Sequence, residues 1–149
     1  MILTDKNCDK NLIIKSVTKI EATCFSVPWT ERSVEAQLVT DSGILVCSAD
    51  ENGAITGYVC GQIAADECEL YRIAVLNEHR GKGYAKELME YFLNKCKENN
   101  IVSVFLEVRS SNTPARALYE KYGFLNIATR KNYYHEPTED AVIYRCEIS

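Results

Sequence analysis

Long apolar runs are missing from this chain of 149 residues. Nowhere do about 18 apolar residues follow one another, so no membrane-spanning helix is expected. The opening Met1-Ile2-Leu3-Thr4-Asp5-Lys6 lacks the basic flank and apolar stretch of a secretory signal, which makes a cytoplasmic location the default expectation. Histidine is scarce. His79 and His135 stand far apart, and neither has a Cys or His at a usual ligand spacing, so no metal site is expected. Cys-x-x-Cys pairs are lacking as well. Seven cysteines, at 8, 24, 47, 60, 68, 96 and 146, lie mostly in apolar segments and read as buried, reduced thiols; neither Cys68 nor Cys96 has the basic surroundings of an acyl-carrying nucleophile. Positive charge is in deficit, with 17 Lys and Arg against 21 Asp and Glu and a net charge of -4. That balance argues against sequence-independent nucleic-acid binding and suits a positively charged partner. No repeat, linker or low-complexity segment interrupts the chain. With 46% apolar and 26% charged residues, 1–149 reads as one domain with a real core.

What the chain does have is the turn Arg80-Gly81-Lys82-Gly83-Tyr84-Ala85, which joins an expected strand at 70–75 to an amphipathic helix. Bare backbone N–H groups at a positive helix end form an anion cradle. Without side chains at 81 and 83 the main chain can approach a diphosphate, and Arg80 and Lys82 add charge. Such a turn also serves as an ordinary strand-to-helix connection with solvated charges, and both readings stand on these residues alone. A Walker loop is excluded because no Gly-Lys-Ser/Thr closes the turn. The dinucleotide fingerprint fails because Lys86 stands where its third Gly or Ala belongs.

Periodicity supplies the frame. Ile13, Val17, Ile20 and Cys24 mark one stripe of a helix over 10–23 capped by Asp9, and Thr30 caps a second helix through Leu38, with a bulky loop, Phe25-Ser26-Val27-Pro28-Trp29, between them. Residues 44–49, a turn at 50–53 containing Asn52-Gly53, and 54–63 read as strand, turn and strand. A further turn at 65–67 leads to the strand at 70–75. After the glycine turn, Ala85, Leu88, Met89, Phe92 and Cys96 recur at helical steps until Asn99-Asn100. The run at 101–108 is apolar at nearly every position, as in a central strand covered on both faces. Thr113 is expected to cap a short helix with Pro114 at its first position and Gly123 as its stop, before strands at 124–130 and 141–147. The strand-helix-strand passage from 70 to 108 predicts a parallel pair inside an otherwise antiparallel sheet. The fold class is therefore α+β, a mixed sheet with helices on both faces and a ligand beside the glycine turn.

Arg80, Gly83 and Ala85 meet the Arg/Gln-x-x-Gly-x-Gly/Ala motif of the GNAT acyltransferases, which this chain resembles. Further segments are similar to the RimI-like branch of that family, the N-terminal protein acetyltransferases: Leu106-Glu107-Val108-Arg109-Ser110-Ser111-Asn112, Ala115, Leu118-Tyr119, Gly123-Phe124, Arg130, Asn132-Tyr133-Tyr134 and Glu139-Asp140-Ala141. With Phe25 and Pro28-Trp29 the likeness runs from about residue 20 to 145. It departs modestly at Val142-Ile143-Tyr144, where the family's last strand is commonly more aliphatic, and at Ala85, where many members have glycine. The resemblance implies a single GNAT domain whose central parallel strands splay apart for acetyl-CoA as co-substrate. Its diphosphate would lie on Arg80, Gly81, Lys82, Gly83, Tyr84 and Ala85, and its pantetheine along Ile73, Ala74 and Val75. It further implies Glu107 as general base on the incoming amine, directly or through water, and Tyr119 near the sulfur as general acid.

Each assignment has a plainer counterpart. A phenol with an ordinary pKa of about 10 stays protonated at neutral pH and can protonate a thiolate, but Tyr119 must also pack its short helix. Glu107 at a strand end could equally form a salt bridge. Asn112 could bond the coenzyme or only start the following helix. By resemblance Trp29, Tyr133 and Tyr134 wall a groove for an extended N-terminal peptide, with Glu136, Glu139 and Asp140 nearby to attract basic residues; otherwise they are half-buried aromatics beside a solvated acidic face. An α-amine costs about 1 to 1.4 kcal/mol to deprotonate at pH 7 and a lysine about 4.6, so a single carboxylate suits a protein N-terminus. The implied partner is the N-terminal alanine of a small-subunit ribosomal protein, the implied enzyme a monomer or weak dimer. A small amine, a lysine side chain, or acetyl-CoA sensing without turnover are the alternatives.

Overall fold

Side chains alternate along a strand, and here that alternation sorts the apolar residues into two cores on opposite faces of one seven-stranded sheet. The structure, a computed structural model, describes residues 1–148. Its elements in chain order are β1 (Ile2–Leu3), α1 (Lys10–Cys24), α2 (Glu31–Val39), β2 (Gly43–Ala49), β3 (Ile55–Ala64), β4 (Glu67–Val75), a 3-10 turn (Asn77–His79), α3 (Tyr84–Glu98), β5 (Ser103–Arg109), α4 (Thr113–Lys121), β6 (Leu125–Tyr134) and β7 (Glu139–Glu147). Ile44 and Val46 of β2 and Val59 of β3 pack with Leu88, Met89 and Phe92 of α3 on one face. Their neighbours Leu45, Cys47, Tyr58 and Cys60 pack with Ile13, Val17 and Ile20 of α1 and Val34 of α2 on the other.

Strand order is β1-β2-β3-β4-β5-β7-β6, with β4 and β5 the parallel pair and every other pairing antiparallel. The parallel ladder is short. It comprises Glu67 opposite Ser103, Cys68 opposite Val104 and Glu69 opposite Phe105, and then the strands part. The cause lies on the other edge of β4. There Arg72 pairs with Cys60 but Leu70 with Gly61, leaving Tyr71 as the extra residue of a β-bulge, which bends its strand. Close approach at this place requires glycine: a Cβ on Gly61 would sit 2.5 Å from the Glu69 carbonyl oxygen and 2.7 Å from Phe92 Cζ. Beyond Glu69, β4 stays on β3 while β5 stays on β7 through Arg109.

The helices, the meander and the crossover stand where periodicity predicted them, and several local expectations need correction. β4 begins at Glu67, not 70, because 67–69 pair with both β3 and β5. β5 begins at Ser103, not 101, and only one of its faces is helix-covered. Val104, Leu106 and Val108 are buried against the α3 side, whereas Phe105, Glu107 and Arg109 stay half-buried on the side that α1 and α2 leave open. The cap of α4 is Asn112, whose Oδ1 accepts from Ala115 N at 3.3 Å; Thr113 is already helical. Asp9 occupies the cap position of α1 without a side-chain bond, whereas the Thr30 hydroxyl accepts from Ser33 N at 3.2 Å. β6 continues past 130 to Tyr134, and β7 starts at Glu139, not 141. Five of the seven free cysteines are buried; Cys8 and Cys24 are half-buried. Among the described residues no helix is long and apolar enough to cross a membrane, and no three His, Cys, Asp or Glu side chains gather in a metal-binding group.

Candidate active site

Where β4 and β5 part, a cleft of about 460 Å³ opens between the end of β4 and the first turns of α3 and α4. Its walls include Ile73, Ala74 and Val75, Gly81 and Gly83, and Asn112. The β4 backbone facing this gap has no strand partner beyond Glu69, so its N–H and C=O groups are open to an extended ligand. Gly81 and Gly83 have φ of +78° and +87°, a left-handed conformation that costs other residues strain and that turns successive N–H groups the same way. An added Cβ at either glycine would meet no atom within 4 Å, so the ground above the turn is open. Gly83 is the N-terminal cap of α3, which adds the positive end of the helix dipole. Tyr84 and Ala85 start that helix and line the cleft. Arg80 does more than offer charge: its Nε donates to Val75 O at 3.1 Å and ties the turn back to β4. Lys82 is exposed at the tip. These features fit a diphosphate followed by a chain that can pair with strand backbone.

Tyr119 of α4 packs in the core on the α3 side of the sheet; its neighbour Leu118 lines the cleft, and Tyr119 is on the wall of neither cavity. Tyr119 is 5% exposed, with its ring 5.7 Å from Phe124 and 6.1 Å from Tyr144. Burial raises its phenol above the ordinary value, with the nearby Tyr134 a lesser cause. The helix is braced by Arg116, whose Nε donates to Tyr144 Oη at 3.0 Å while the Tyr144 hydroxyl donates to Glu120 Oε2 at 2.6 Å.

Glu107 leaves β5 on the opposite face, into a second cavity of about 380 Å³ that it shares with Glu69, Tyr71, Phe105 and Arg130. Its carboxylate lies 3.5 Å from Arg130 Nη1, so the salt bridge foreseen as the plainer role is present. Arg130 is 55% exposed, and such a pair contributes only about 0–1 kcal/mol to stability, which leaves the carboxylate free to do other things. Burial and then the charge of Glu107 raise the Glu69 carboxyl above the ordinary range. Tyr133 is raised chiefly by hydrogen bonding toward Glu107, and Tyr134 is pushed up to about 12, chiefly by burial. Tyr134 is stacked on the Arg109 guanidinium, 4.5 Å from ring centroid to Cζ, and packs edge-on against Tyr133. The charge of Glu107 raises Tyr134 further, and Tyr134 in turn is a lesser cause of the rise at Tyr119.

The remaining sequence-predicted residues fall in separate places. Trp29 lies edge-on to Tyr71 at 6.1 Å, on the α1–α2 side of the second cavity. Asn112 spends its side chain on the α4 cap while still lining the first cleft. Glu139 accepts from Ser111 N at 2.5 Å and Ser110 Oγ at 3.1 Å, which fixes the turn between β5 and α4; these bonds lower its carboxyl below the ordinary value. Asp140 Oδ1 accepts from Asn132 N at 2.9 Å, so it too is structural. Glu136 is exposed on the β6–β7 loop. Sequence reasoning missed Glu69, Arg72 and Glu21. The Glu67-Glu69-Tyr71 alternation held a signal for Glu69, and an acid at 21 beside the apolar stripe of α1 held one for a buried ion pair.

With this geometry in hand, comparison with known proteins is informative. Residues 14–124 match the model of the acetyltransferase (GNAT) family. The chain is 35% identical over 130 to 142 residues to proteins described as [ribosomal protein bS18]-alanine N-acetyltransferase, in Haemophilus influenzae over 87% of this chain and 89% of the relative, and in Haemophilus ducreyi over 84% and 87%. The relative of that name in Escherichia coli is 32% identical over 87% of this chain and 88% of its own. Among solved structures, the Escherichia coli ribosomal-protein-S18-alanine N-acetyltransferase superposes with a TM-score of 0.88 at 26% identity over 100% of this chain and 94% of that one. Ard1 from Thermoplasma volcanium superposes with a TM-score of 0.86 at 27% identity over 100% and 97%.

Proposed function

Because the chain belongs to the GNAT acetyltransferase family and is thereby an acyltransferase, we propose that it moves acetyl from acetyl-CoA to the N-terminal α-amine of a protein. The acceptor in this reading is the N-terminal alanine of a small-subunit ribosomal protein, as the names of its relatives state for them. The observation that carries it is the parting of β4 and β5 beyond Glu69, with a glycine-turn cleft at the end of β4 and a separate cavity holding Glu107 on the other face of the sheet.

In this reading the N–H groups at 81–85 hold the diphosphate, with Arg80 and Lys82 adding charge. The open edge of β4 at Ile73, Ala74 and Val75 aligns pantetheine, and Asn112 borders its path. Glu107, directly or through one water, takes a proton from the α-ammonium, whose deprotonation costs about 1 to 1.4 kcal/mol at pH 7. The amine nitrogen attacks the thioester carbonyl carbon, the carbon–sulfur bond breaks, and the Tyr119 phenol gives its proton to the departing thiolate. Burial suits Tyr119 to that part, since a phenol held above its ordinary pKa is fully protonated at neutral pH. Trp29 on one side and Tyr133 and Tyr134 on the other wall the acceptor groove. The excess of acid, 21 Asp and Glu against 17 Lys and Arg, favours a basic acceptor.

The test presents acetyl-CoA with peptides beginning in free Ala, Ser or Met, with an N-acetylated peptide carrying an internal lysine, and with a polyamine, and follows thiol release. Fastest release with free alanine is expected. Release only with lysine or the polyamine would replace the N-terminal assignment, and binding of acetyl-CoA without release from any amine would replace the enzymatic one.

A further inference from the structure

Glu21 is wholly buried in α1, and a carboxylate taken out of water persists only when its oxygens are fully partnered. Three groups from three parts of the chain do this. Arg72 Nη1 donates at 2.5 Å, the Trp29 backbone N–H at 2.7 Å, and the Tyr58 phenol donates to the other oxygen. Arg72 is itself held in an unusual way. Its guanidinium lies 4.4 Å from the Phe25 ring centroid and 5.0 Å from that of Trp29, and its Nη2 donates to Val27 O at 3.4 Å. One side chain of β4 thus touches three residues of the loop between α1 and α2, by cation–π contact and hydrogen bond, and anchors them to a buried charge.

Phe25 and Trp29 pack half-buried against the α1-side core, and the rest of the loop is exposed. Val27 is 58% exposed, and besides helix-end bonds the backbone of 25–30 meets the rest of the protein through Glu21 and Arg72 alone among the described hydrogen bonds. Arg72 lines neither cavity, but its neighbour Tyr71 lines the second one. Arg72 keeps 22% of its side chain exposed, follows the bulge residue Tyr71, and its charge is felt by Tyr134. It lies against Trp29, one wall of the acceptor groove, beside Tyr71 of the second cavity.

We propose that Arg72 is a positioning residue for the acceptor: by latching the 25–30 loop to β4 through Glu21, it fixes Trp29 as a rigid groove wall opposite Tyr133 and Tyr134. This rests on the peptide-acceptor reading above. A latch of this kind acts chiefly on binding of the acceptor: Arg72 and Trp29 are absent from the walls of the coenzyme cleft, which the loop reaches only through Phe25 at its start.

The experiment uses the full chain and three variants. Arg72→Met removes the latch but strands a buried charge, so Glu21→Gln/Arg72→Met is made beside it to remove both charges. Arg72→Lys keeps a cation for Glu21 without the planar surface that stacks on two rings. Trp29 is the sole tryptophan, so acrylamide quenching of its fluorescence reports the loop with no substrate present. Quenching at least twofold more efficient in the double variant is expected. So is a peptide KM raised about tenfold, with acetyl-CoA KM within twofold and kcat at saturating peptide largely kept. Arg72→Lys is expected to recover less than half of the quenching change. Unchanged quenching in the double variant overturns the latch. Increased quenching with peptide KM unchanged, or with both KM values raised alike, overturns the positioning role. Failure of the unaltered enzyme to use any N-terminal peptide would sink the acceptor reading instead, and the quenching result would still decide the latch.

Discussion

Gly61→Ala probes the device that parts the central strands. Gly61 lies opposite Leu70, next to the bulge, and its added Cβ would stand 2.5 Å from the Glu69 carbonyl oxygen and 2.7 and 2.9 Å from Cζ and Cε2 of Phe92. Against an ordinary separation of about 3.5 Å these are overlaps of roughly 0.6–1 Å. Neither neighbour can yield freely. Phe92 is wholly buried in the α3 core, and Glu69 is the last β4 residue paired to β5. Overpacking of this kind costs about 1–3 kcal/mol, and with backbone as one of the struck atoms the upper half applies. Alanine lowers the entropy of the unfolded chain and returns about 0.4–1 kcal/mol, which leaves a net loss of about 2 kcal/mol. For a domain of this size that is roughly 4–8 °C in Tm. Thermal and urea unfolding should show the loss with the urea m-value unchanged, and acetyl-CoA affinity should fall because retreat of Glu69 moves the mouth of the gap. Adding Phe92→Leu removes the ring contacts only, so the double variant should be more stable than the sum of the singles by about 1 kcal/mol. A Gly61→Ala protein melting within about 1 °C of the parent would refute the reasoning.

Tyr119→Phe keeps the ring packing and removes the proton, so turnover should fall about 10²- to 10⁴-fold while calorimetric acetyl-CoA affinity stays within about twofold; equal turnover would remove Tyr119 from the chemistry. Glu107→Gln should lower turnover on a similar scale, and its defect should shrink as pH rises and the free amine becomes abundant; a defect independent of pH would assign Glu107 to binding. Glu139→Gln should loosen the turn between β5 and α4, read as faster amide exchange at 110–118. Because hydrogen bonds depress the Glu139 carboxyl in the folded state, its contribution is fully present above the ordinary value of 4.5 and is lost as pH falls through the depressed one. The stability gap between parent and variant should therefore close in acid, and a gap that widened there would contradict the sign.

What the sequence made legible follows from how each feature is encoded. The α3 stripe of Leu88, Met89, Phe92 and Cys96 and the glycine turn are local, written in residue spacing and in the φ that Gly81 and Gly83 permit. Edges were harder. Nearly all of β6 is exposed, so no apolar period marked its extension to Tyr134, and the strand at 70–75 was not seen to start at Glu67, which read as the end of the 65–67 turn until the ladder partners of 67–69 on both sides were known. In the site, Glu107 and Tyr119 came from motif resemblance, whereas their surroundings are tertiary. Arg130 reaches Glu107 from another strand, and Arg72 reaches Glu21 across 51 residues of chain. No local pattern encodes such pairs.

The bulge at Tyr71 was equally silent in Glu69-Leu70-Tyr71-Arg72-Ile73-Ala74-Val75, and it explains two features at once. In an unbroken strand, Leu70, Arg72 and Ala74 would share a face. Here Leu70 packs into the α3 core and Ala74 into the α1 core, because the extra residue reverses the alternation and leaves Tyr71 and Arg72 consecutive on the α1 side. The same residue that ends the β4–β5 ladder thus sends Arg72 to Glu21 and sets Tyr71 against Trp29. Parting of β4 from β5 and anchoring of the Trp29 loop consequently share one structural origin. A change that regularised β4 would have to lose both, which is why the proposed latch is tested by loss of Arg72 alone, with the bulge intact.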